Sequence, residues 1–404
     1  MLVMLLLGFS SGIPYALTAG TLQAWLATEH VDIKTIGLFA LVGIPYNWKF
    51  IWAPFMDRYF PPILGRRRGW MLVTQLLLAC AIAGMALTSP VQGLTSMAVL
   101  AVFVAFFSSS QDIVIDAYRT EALPVAEYGA GAGVYTMGYR LAMLVSGAAA
   151  LILADHYPWK VVYLFMALTV GVGIIGTFLG PEPMIERAPR TLSEAVWAPL
   201  KEFFGRRGVF EVVLFILFYK LDVVIATALM TKFFLDMGFT KTDIGAVTKV
   251  FGLIATIVGA LLGGALIPRL GIRRALMLFG ILQGVSTLLF YMMARVGNNR
   301  LALIFTIGGE NLASGMATAA YMAFIMSLCN QRFTATQYAL LTSLMAVPVK
   351  ILSAPTGYLQ QAVGWENYYL IAAALSLPGL LMLLRFNHWK AGLTFDGPSD
   401  GISP

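Results

Sequence analysis

Residues 97–119 read MAVLAVFVAFFSSSQDIVIDAYR, an apolar run that leads into three serines, a glutamine, two acids and an arginine. Asp112 and Asp116 are four residues apart, so a helix places both on one face, with Arg119 one turn further along it. A charge at mid-membrane costs about 2.5–3.5 kcal/mol on insertion scales, so charges in such a segment indicate a transport or coupling pathway. The alternative is that the helix leaves the membrane before Asp112. Pro124 marks a later exit and favours the pathway.

The composition is that of an integral membrane protein. Of 404 residues, 59% are hydrophobic and 12% are charged, and the mean hydropathy is +0.80. Soluble domains carry about 25% charged residues. At about 20 residues a span, this length allows roughly a dozen helices. The apolar runs are continuous rather than alternating, so the pattern predicts an all-α membrane protein and argues against a β-barrel.

Hydropathy divides the chain into two halves of six helices each. The predicted helices cover residues 2–26, 33–56, 70–88, 94–119, 129–154, 159–179, 209–233, 242–267, 275–294, 301–328, 336–360 and 367–385. The predicted domains are an N-terminal bundle (1–180), a polar cytoplasmic linker with an amphipathic surface helix (181–208), a C-terminal bundle (209–388) and a disordered tail (389–404). The first segment is too long for the apolar core of a signal peptide, so we expect a retained helix, with any cytosolic leader absent or trimmed.

The net charge of +7 is distributed as a membrane topology signal rather than as a nucleic-acid-binding face. Lysine and arginine concentrate in alternate loops, with Arg119 counted among them, and this predicts that both termini are cytoplasmic. The two cysteines lie in apolar runs and the three histidines lie near loop ends, so we expect no disulfide, metal site or catalytic centre.

The two halves resemble each other in sequence. Tyr128, Arg140 and Gly147 recur as Tyr338, Lys350 and Gly357, each 210 positions later. Two six-span halves joined by a polar linker are typical of transporters built from repeats, whose binding site lies between the repeats near mid-membrane.

Several motifs carry a family resemblance. Asp57-Arg58 with Gly65-Arg66-Arg67-Arg68, and Arg269-Leu270-Gly271-Ile272-Arg273-Arg274, resemble the signature loop of the major facilitator superfamily. The first copy has extra residues before its basic cluster, and Pro268 replaces the acid in the second. The stretches GFSSGIPYALT (8–18), GTLQAW (20–25), PPILGRRRGW (61–70) and SQDIV (110–114) resemble the AmpG family of muropeptide permeases.

The resemblance implies two six-helix bundles related by a pseudo-two-fold axis in a bacterial inner membrane. It implies proton-driven import of anhydro-muropeptides for peptidoglycan recycling by alternating access. A related branch carries acetyl-coenzyme A, so another anionic cargo is the alternative. A membrane acyltransferase is a weaker alternative, because the spans hold no cluster of His, Cys and acid residues and the chain has no phosphate-cradling loop.

Proton coupling needs a carboxyl group whose pKa moves between a buried setting and a cationic one. We expect Asp112 and Asp116, paired with Arg140, to play this part, with Glu310 as the corresponding acid of the second half. The coupling ion is the proton, and no other cofactor is expected.

Lysines and arginines inside predicted spans point to an anionic ligand, because they are good donors to carboxylates. These cations are Lys49, Arg140, Lys220, Lys249 and Lys350. Internal pairing with the acids is the alternative. The predicted substrate-binding residues are Lys49, Lys220, Asp222, Lys350, Gln111, Asn311, Trp48 and Tyr139. The two aromatic side chains would stack on sugar rings, although aromatics in spans more often pack or anchor.

The arginine loops are expected to set the topology and to form a cytoplasmic gate. The predicted gate residues are Asp57, Arg58, Arg269 and Arg273. The expected partners are the lipid bilayer, the muropeptide and protons, with the chain acting as a monomer.

Overall fold

The computed structural model describes residues 1–91, 93–183, 189–353 and 355–390. Helices are the only regular secondary structure in these ranges. Ten of the described helical segments, some of them kinked, are long and apolar enough to cross a membrane. They are Leu2–Thr28, Arg66–Ala86, Leu94–Ala122, Val125–Ala154, Trp159–Leu179, Val209–Asp236, Gly245–Leu270, Ile272–Val296, Arg300–Leu328 and Thr356–Trp389.

The described residues of the first half and of the segment that follows it form twelve α-helices. They are α1 (Leu2–Leu17), α2 (Gly20–Thr28), α3 (Ile33–Leu38), α4 (Ile44–Trp48), α5 (Ala53–Arg58), α6 (Arg66–Ala86), α7 (Leu94–Ala122), α8 (Tyr128–Met143), α9 (Ala150–Ala154), α10 (Trp159–Thr169), α11 (Gly171–Leu179) and α12 (Leu192–Phe204). The α12 helix begins just after Thr191, whose hydroxyl caps it by accepting from the Glu194 backbone N–H.

The second half holds eleven described helices. They are α13 (Val209–Phe218), α14 (Leu221–Ala228), α15 (Met230–Asp236), α16 (Lys241–Ile244), α17 (Gly252–Leu270), α18 (Ile272–Val296), α19 (Arg300–Leu328), α20 (Thr334–Ser353), α21 (Thr356–Ala374), α22 (Ser376–Met382) and α23 (Phe386–Lys390). Short 3₁₀ segments lie at Phe39–Gly43, Lys49–Ile51, Val125–Glu127, Gln331–Phe333 and Leu383–Arg385, and π turns at Leu144–Ala149 and Gly245–Phe251.

Two of the twelve predicted spans, 33–56 and 336–360, do not correspond to any of these ten segments. Residues 33–58 form five short helical pieces instead of one helix, because Pro45 and Pro54 each remove a backbone donor. The predicted span 336–360 ends as α20 at Ser353, and α21 begins just after Pro355. These two interrupted segments pack against each other, since α20 contacts both α4 and α5.

The predicted disordered tail begins inside the last helix. Trp389 and Lys390 belong to α23, and Trp389 is buried. Its indole nitrogen donates to Glu211 Oε2 at 2.6 Å, which connects the last described helix to the first helix of the second half. The rest of the predicted tail, 391–404, lies outside the described residues.

Several pairs of helices join the halves: α20 contacts α4, α5 and α7, and α8 contacts α19 and α17. Glycine allows α8 and α17 to approach closely. A side chain at Gly133 would collide with the Ala260 carbonyl, and one at Gly264 would collide with the Gly129 carbonyl. These glycines lie early in α8 and late in α17. They are therefore toward the side of the molecule that carries the Arg66–Arg68 loop, which we call the arginine side.

Candidate functional site

The first group of polar side chains, the Asp116 cluster (Lys49, Asp116, Arg119 and Tyr338), joins the two halves. Asp116 Oδ2 lies 3.6 Å from Lys49 Nζ, and its Oδ1 lies 3.1 Å from Arg119 Nη2. The same Arg119 nitrogen donates to the Tyr338 hydroxyl at 2.5 Å. Since Tyr338 belongs to α20, this bond crosses from the first half to the second.

Arg119 is inside the protein, not in a cytoplasmic loop as predicted. Its side chain is 2% exposed and its guanidinium lies 4.3 Å from the centre of the Tyr135 ring. The α7 helix continues to Ala122, and every residue from Ile113 to Thr120 is buried. Arg119 therefore does not belong to the loop cations that indicate the membrane orientation.

Arg140 is not paired with these acids as expected. Among the ion pairs of described residues, Asp116 pairs with Lys49 and Arg119, whereas Arg140 Nη1 donates to Met143 Sδ at 3.9 Å. Tyr135 lies against Arg119, and Arg140 is five residues further along α8, which turns it about 140° away from that face.

The other predicted residues of the first half lie around this cluster. Asp112 is within electrostatic range of Lys49, Asp116 and Arg119, and its buried Oδ1 accepts no hydrogen bond from a described residue. Gln111 is fully buried and pairs with Ser10 of α1, with Nε2 donating to Oγ at 3.2 Å. Its amide therefore joins two helices of one half.

The two aromatic candidates differ in exposure. Trp48 is 55% exposed and lies in a cavity of about 310 Å³ between the halves, opposite Leu340 and Val347 of α20. Tyr139 is half-buried on α8, where its backbone contacts α1 at Gly12. Of the two, Trp48 alone lines that cavity. Leu340 and Val347 lie six and thirteen residues along α20 from Thr334, about 9–20 Å from the arginine side.

The second polar group, the Gln283 cluster (Lys220, Asp222, Gln283, Ser286 and Glu310), belongs to the second half alone. Lys220 Nζ donates to Gln283 Oε1 at 2.7 Å, and Gln283 Nε2 donates to both oxygens of Asp222, at 2.8 and 2.9 Å. Lys220 and Asp222 do not share a helix face, so a glutamine on α18 connects them.

Glu310 and Asn311 are adjacent on α19 but have different partners. Glu310 is 2% exposed, and its Oε2 accepts from Ser286 at 2.7 Å, while its Oε1 has no hydrogen-bond partner among described residues. Asn311 accepts from Thr256 of α17 at 2.8 Å. The carboxyl group thus retains an unused oxygen, whereas the amide connects two helices. The side chains of Lys249 and Lys350 lie outside the described part of the structure.

The arginine side carries a third group, the arginine latch (Asp57, Arg66, Arg67, Glu121 and Thr336). Arg67 is fully buried, with Nη2 2.8 Å from Asp57 Oδ1 and 2.5 Å from Glu121 Oε1. Asp57 Oδ2 accepts from the backbone N–H of Thr336 at 2.8 Å and from its hydroxyl at 2.7 Å. A carboxylate at a helix N-terminus is favourable, and here it attaches the first half to the start of α20.

The other three predicted gate residues do not enter the latch. Arg58 lies 5.1 Å from the centre of the Tyr59 ring. Arg273 donates to Asn387 at 3.2 Å on the surface, and Arg269 is exposed without an ion pair to another described residue. The second copy of the loop therefore carries arginines but no buried acid, consistent with Pro268 in the acid's position.

Sequence reasoning missed four residues that organise these groups: Arg67, Glu121, Gln283 and Tyr338. Gln283 had a visible signal, because it is a lone amide inside an apolar run. Tyr338 also had a visible signal, because it is the repeat partner of Tyr128. Nothing local showed that Glu121 reaches back to Arg67, because that contact depends on how α6 and α7 pack.

Comparisons with known proteins agree with this architecture. The Major Facilitator Superfamily model matches residues 4–349. The anhydromuropeptide permease of Escherichia coli strain K12 is 48% identical over 385 residues, which cover 95% of this chain and 78% of that protein. A Haemophilus influenzae protein is 42% identical over 406 residues, covering 97% and 95%.

Solved structures show the same fold at low sequence identity. The proton:xylose symporter XylE has a TM-score of 0.74 at 13% identity, covering 95% of this chain and 94% of that one. The transporter FucP in its outward conformation has a TM-score of 0.71 at 12% identity, covering 95% and 97%. The chain is a multi-pass membrane transporter of the Major Facilitator Superfamily, and within it belongs to the family of the Escherichia coli anhydromuropeptide permease.

Proposed function

We propose that this chain imports anhydro-muropeptides, the disaccharide–peptide products of cell-wall turnover, as a proton-driven monomeric permease. The observation that carries this proposal is the 48% identity to a protein named anhydromuropeptide permease across 95% of the chain. The cargo has peptide carboxylates and sugar rings, so it requires cations and an aromatic surface in one cavity. Trp48 lines the cavity between the halves, and the Lys49 ammonium next to it in sequence lies behind that wall, 3.6 Å from Asp116.

The arrangement of the two halves supports import by alternating access. The arginine latch and the α8–α17 contact hold the halves together on the arginine side, which the positive-inside rule assigns to the cytoplasm. The cavity beside Trp48 lies further from that side. A state closed toward the cytoplasm is the one that receives cargo from the other face of the membrane.

Asp112 and Asp116 are the proposed proton-coupling acids of the first half, and Glu310 is the acid of the second. Asp112 and Glu310 each hold a carboxyl oxygen without a hydrogen-bond partner among the described residues, so each has an oxygen free to receive a proton. Asp116 is tied to two cations, so a change in its protonation would alter both pairs.

Uptake into proteoliposomes tests both the cargo and the coupling. We expect labelled disaccharide–tripeptide to accumulate when the lumen is one pH unit more alkaline, by about tenfold per proton, and only to equilibrate when an ionophore removes the gradient. Asp112→Asn and Asp116→Asn should equilibrate the cargo without accumulating it. Retention of gradient-driven uptake by both variants would remove the first-half acids from the mechanism.

The same vesicles separate the cargo classes. Unlabelled disaccharide–peptide should compete with the label, and coenzyme A esters should not. Competition by the esters alone would assign the protein to another anionic cargo.

A further inference from the structure

Asp116 is shared between two cations that lie in different surroundings. Lys49 lies in sequence between Trp48 and Phe50, which line the cavity between the halves, while its own side chain is 10% exposed and faces Asp116. Arg119 lies deeper and bonds to Tyr338 of the opposite half. One carboxylate therefore connects a cation beside the cavity to a bond that holds the halves together.

The contact of Lys49 with Asp116 is the looser of the two. Its nitrogen lies 3.6 Å from Oδ2, beyond hydrogen-bond distance, and both side chains are 10% exposed. A carboxylate entering the cavity can bind this ammonium at a shorter distance, because charge-assisted hydrogen bonds are about 2.7–2.9 Å long.

Arg119 has an N–H group that makes no hydrogen bond to a described residue. Its Nη2 serves both Asp116 and Tyr338, while its Nε is buried without a hydrogen-bond partner among the described residues. A guanidinium prefers to bind a carboxylate through two parallel hydrogen bonds. It makes only one to Asp116 here, since Lys49 lies beside the second oxygen.

We propose that Arg119 and Tyr338 are a positioning pair that releases the two halves when an anionic ligand binds Lys49. This inference rests on the proposed function for the identity of the ligand, a carboxylate-bearing cargo. Removal of Lys49 from Asp116 frees Oδ2, and Arg119 turns to hold both oxygens with Nε and Nη2. That turn withdraws Nη2 from Tyr338, and the bond between the halves is lost.

The test measures the separation of the halves directly. Spin labels are placed at Glu127 and Arg274, exposed positions on the arginine side of different halves, after Cys80 and Cys329 are replaced by alanine. Without cargo, Tyr338→Phe and Lys49→Gln should each raise the ratio of long to short distances by about tenfold, the effect of losing a hydrogen bond to a charged group. Addition of disaccharide–tripeptide should lengthen the distance in the parent protein.

The matched control is Tyr128→Phe. Tyr128 is the repeat counterpart of Tyr338, is also buried, and donates to the Thr120 carbonyl within its own half. Tyr128→Phe should destabilise the protein by an amount comparable to Tyr338→Phe and leave the distances between the spin labels unchanged. Equal distance shifts in the two tyrosine variants, or an unchanged distribution in Lys49→Gln, would overturn the proposal. The variant measurements are made without cargo, so they do not depend on what the protein transports.

Discussion

The two halves contain similar buried polar clusters, but these clusters make different contacts. Each half holds a buried cluster with a lysine, an aspartate and a hydrogen-bonding partner. The Asp116 cluster reaches Tyr338 in the other half, whereas the Gln283 cluster closes on itself through α14, α18 and α19. Sequence repetition therefore does not imply equal roles: the first cluster bears on the contact between the halves, and the second on the interior of one half.

The two arginine loops show the same difference. Asp57 in the first loop binds Arg67 and the start of α20. Pro268 occupies the matching position of the second loop and has no carboxylate, and Arg273 there donates to Asn387 at the surface. The carboxylate of Asp57 therefore distinguishes the loop that joins the halves from the loop that does not.

The largest effect on the difference between the two loops is expected when the buried cation of the first loop is removed. Arg67→Gln leaves Asp57 and Glu121 facing each other without their shared partner, and breaking a buried ion pair costs about 3–5 kcal/mol. We expect a large fall in the melting temperature of the purified protein in detergent. Arg273→Gln, on the surface of the second loop, is the control and should change stability by less than about 0.5 kcal/mol. Equal losses would mean that the loops are equivalent.

The second change tests whether the Gln283 cluster is confined to its half. Gln283→Leu removes both amide hydrogen bonds to Asp222 and one of three acceptors of Lys220, which keeps the Ser314 carbonyl and the Thr318 hydroxyl. The buried Asp222 carboxylate that is left without its amide donor costs about 1–3 kcal/mol. Uptake should fall at least about tenfold, while the label distance across the arginine side stays that of the parent protein. A lengthened distance would show that the second cluster also controls the contact between the halves.

A smaller effect is expected from Thr336→Val, which keeps the side-chain shape and removes the hydroxyl bond to Asp57. Because the backbone N–H of Thr336 still donates to the same carboxylate, the loss should be about 1.5 kcal/mol, measured by thermal unfolding. Thr342→Val is the matched control, since that hydroxyl bonds only within α20. The control should change the label distance less than Thr336→Val does.

The smallest effect belongs to Glu194 on α12, which forms an ion pair with Arg332 at the edge of the arginine side. The Arg190 backbone N–H, donating at 2.7 Å, lowers the pKa of the Glu194 carboxyl, and Arg332 adds to this. A lowered pKa in the folded state contributes stability above the unfolded value of about 4.3, and this is lost as the pH falls through the folded value.

The measurement is the melting temperature as a function of pH. Glu194→Gln should melt slightly lower than the parent protein at pH 7, with the difference vanishing at acid pH. A difference that grows on acidification would contradict the sign. Added salt should reduce it at pH 7, because the pair is half-exposed to solvent.

Several features could be read from the chain alone. The apolar runs predicted a helical membrane protein, and the period of a helix placed Asp112, Asp116 and Arg119 on one face. The motifs at residues 8–25 and 57–70 indicated the family, which the comparisons confirm. These features depend on composition and on near neighbours, so the sequence determines them without reference to the rest of the fold.

Only the tertiary structure decided which groups become partners. Asp116 pairs with Lys49 and Arg119 instead of Arg140, and Gln283 bridges Lys220 to Asp222. It also placed the short helices α4 and α5 against α20. The reason is geometric: helical periodicity gives the direction of a side chain around its own axis, whereas a partner on another helix depends on how the two axes are rotated, shifted and spaced.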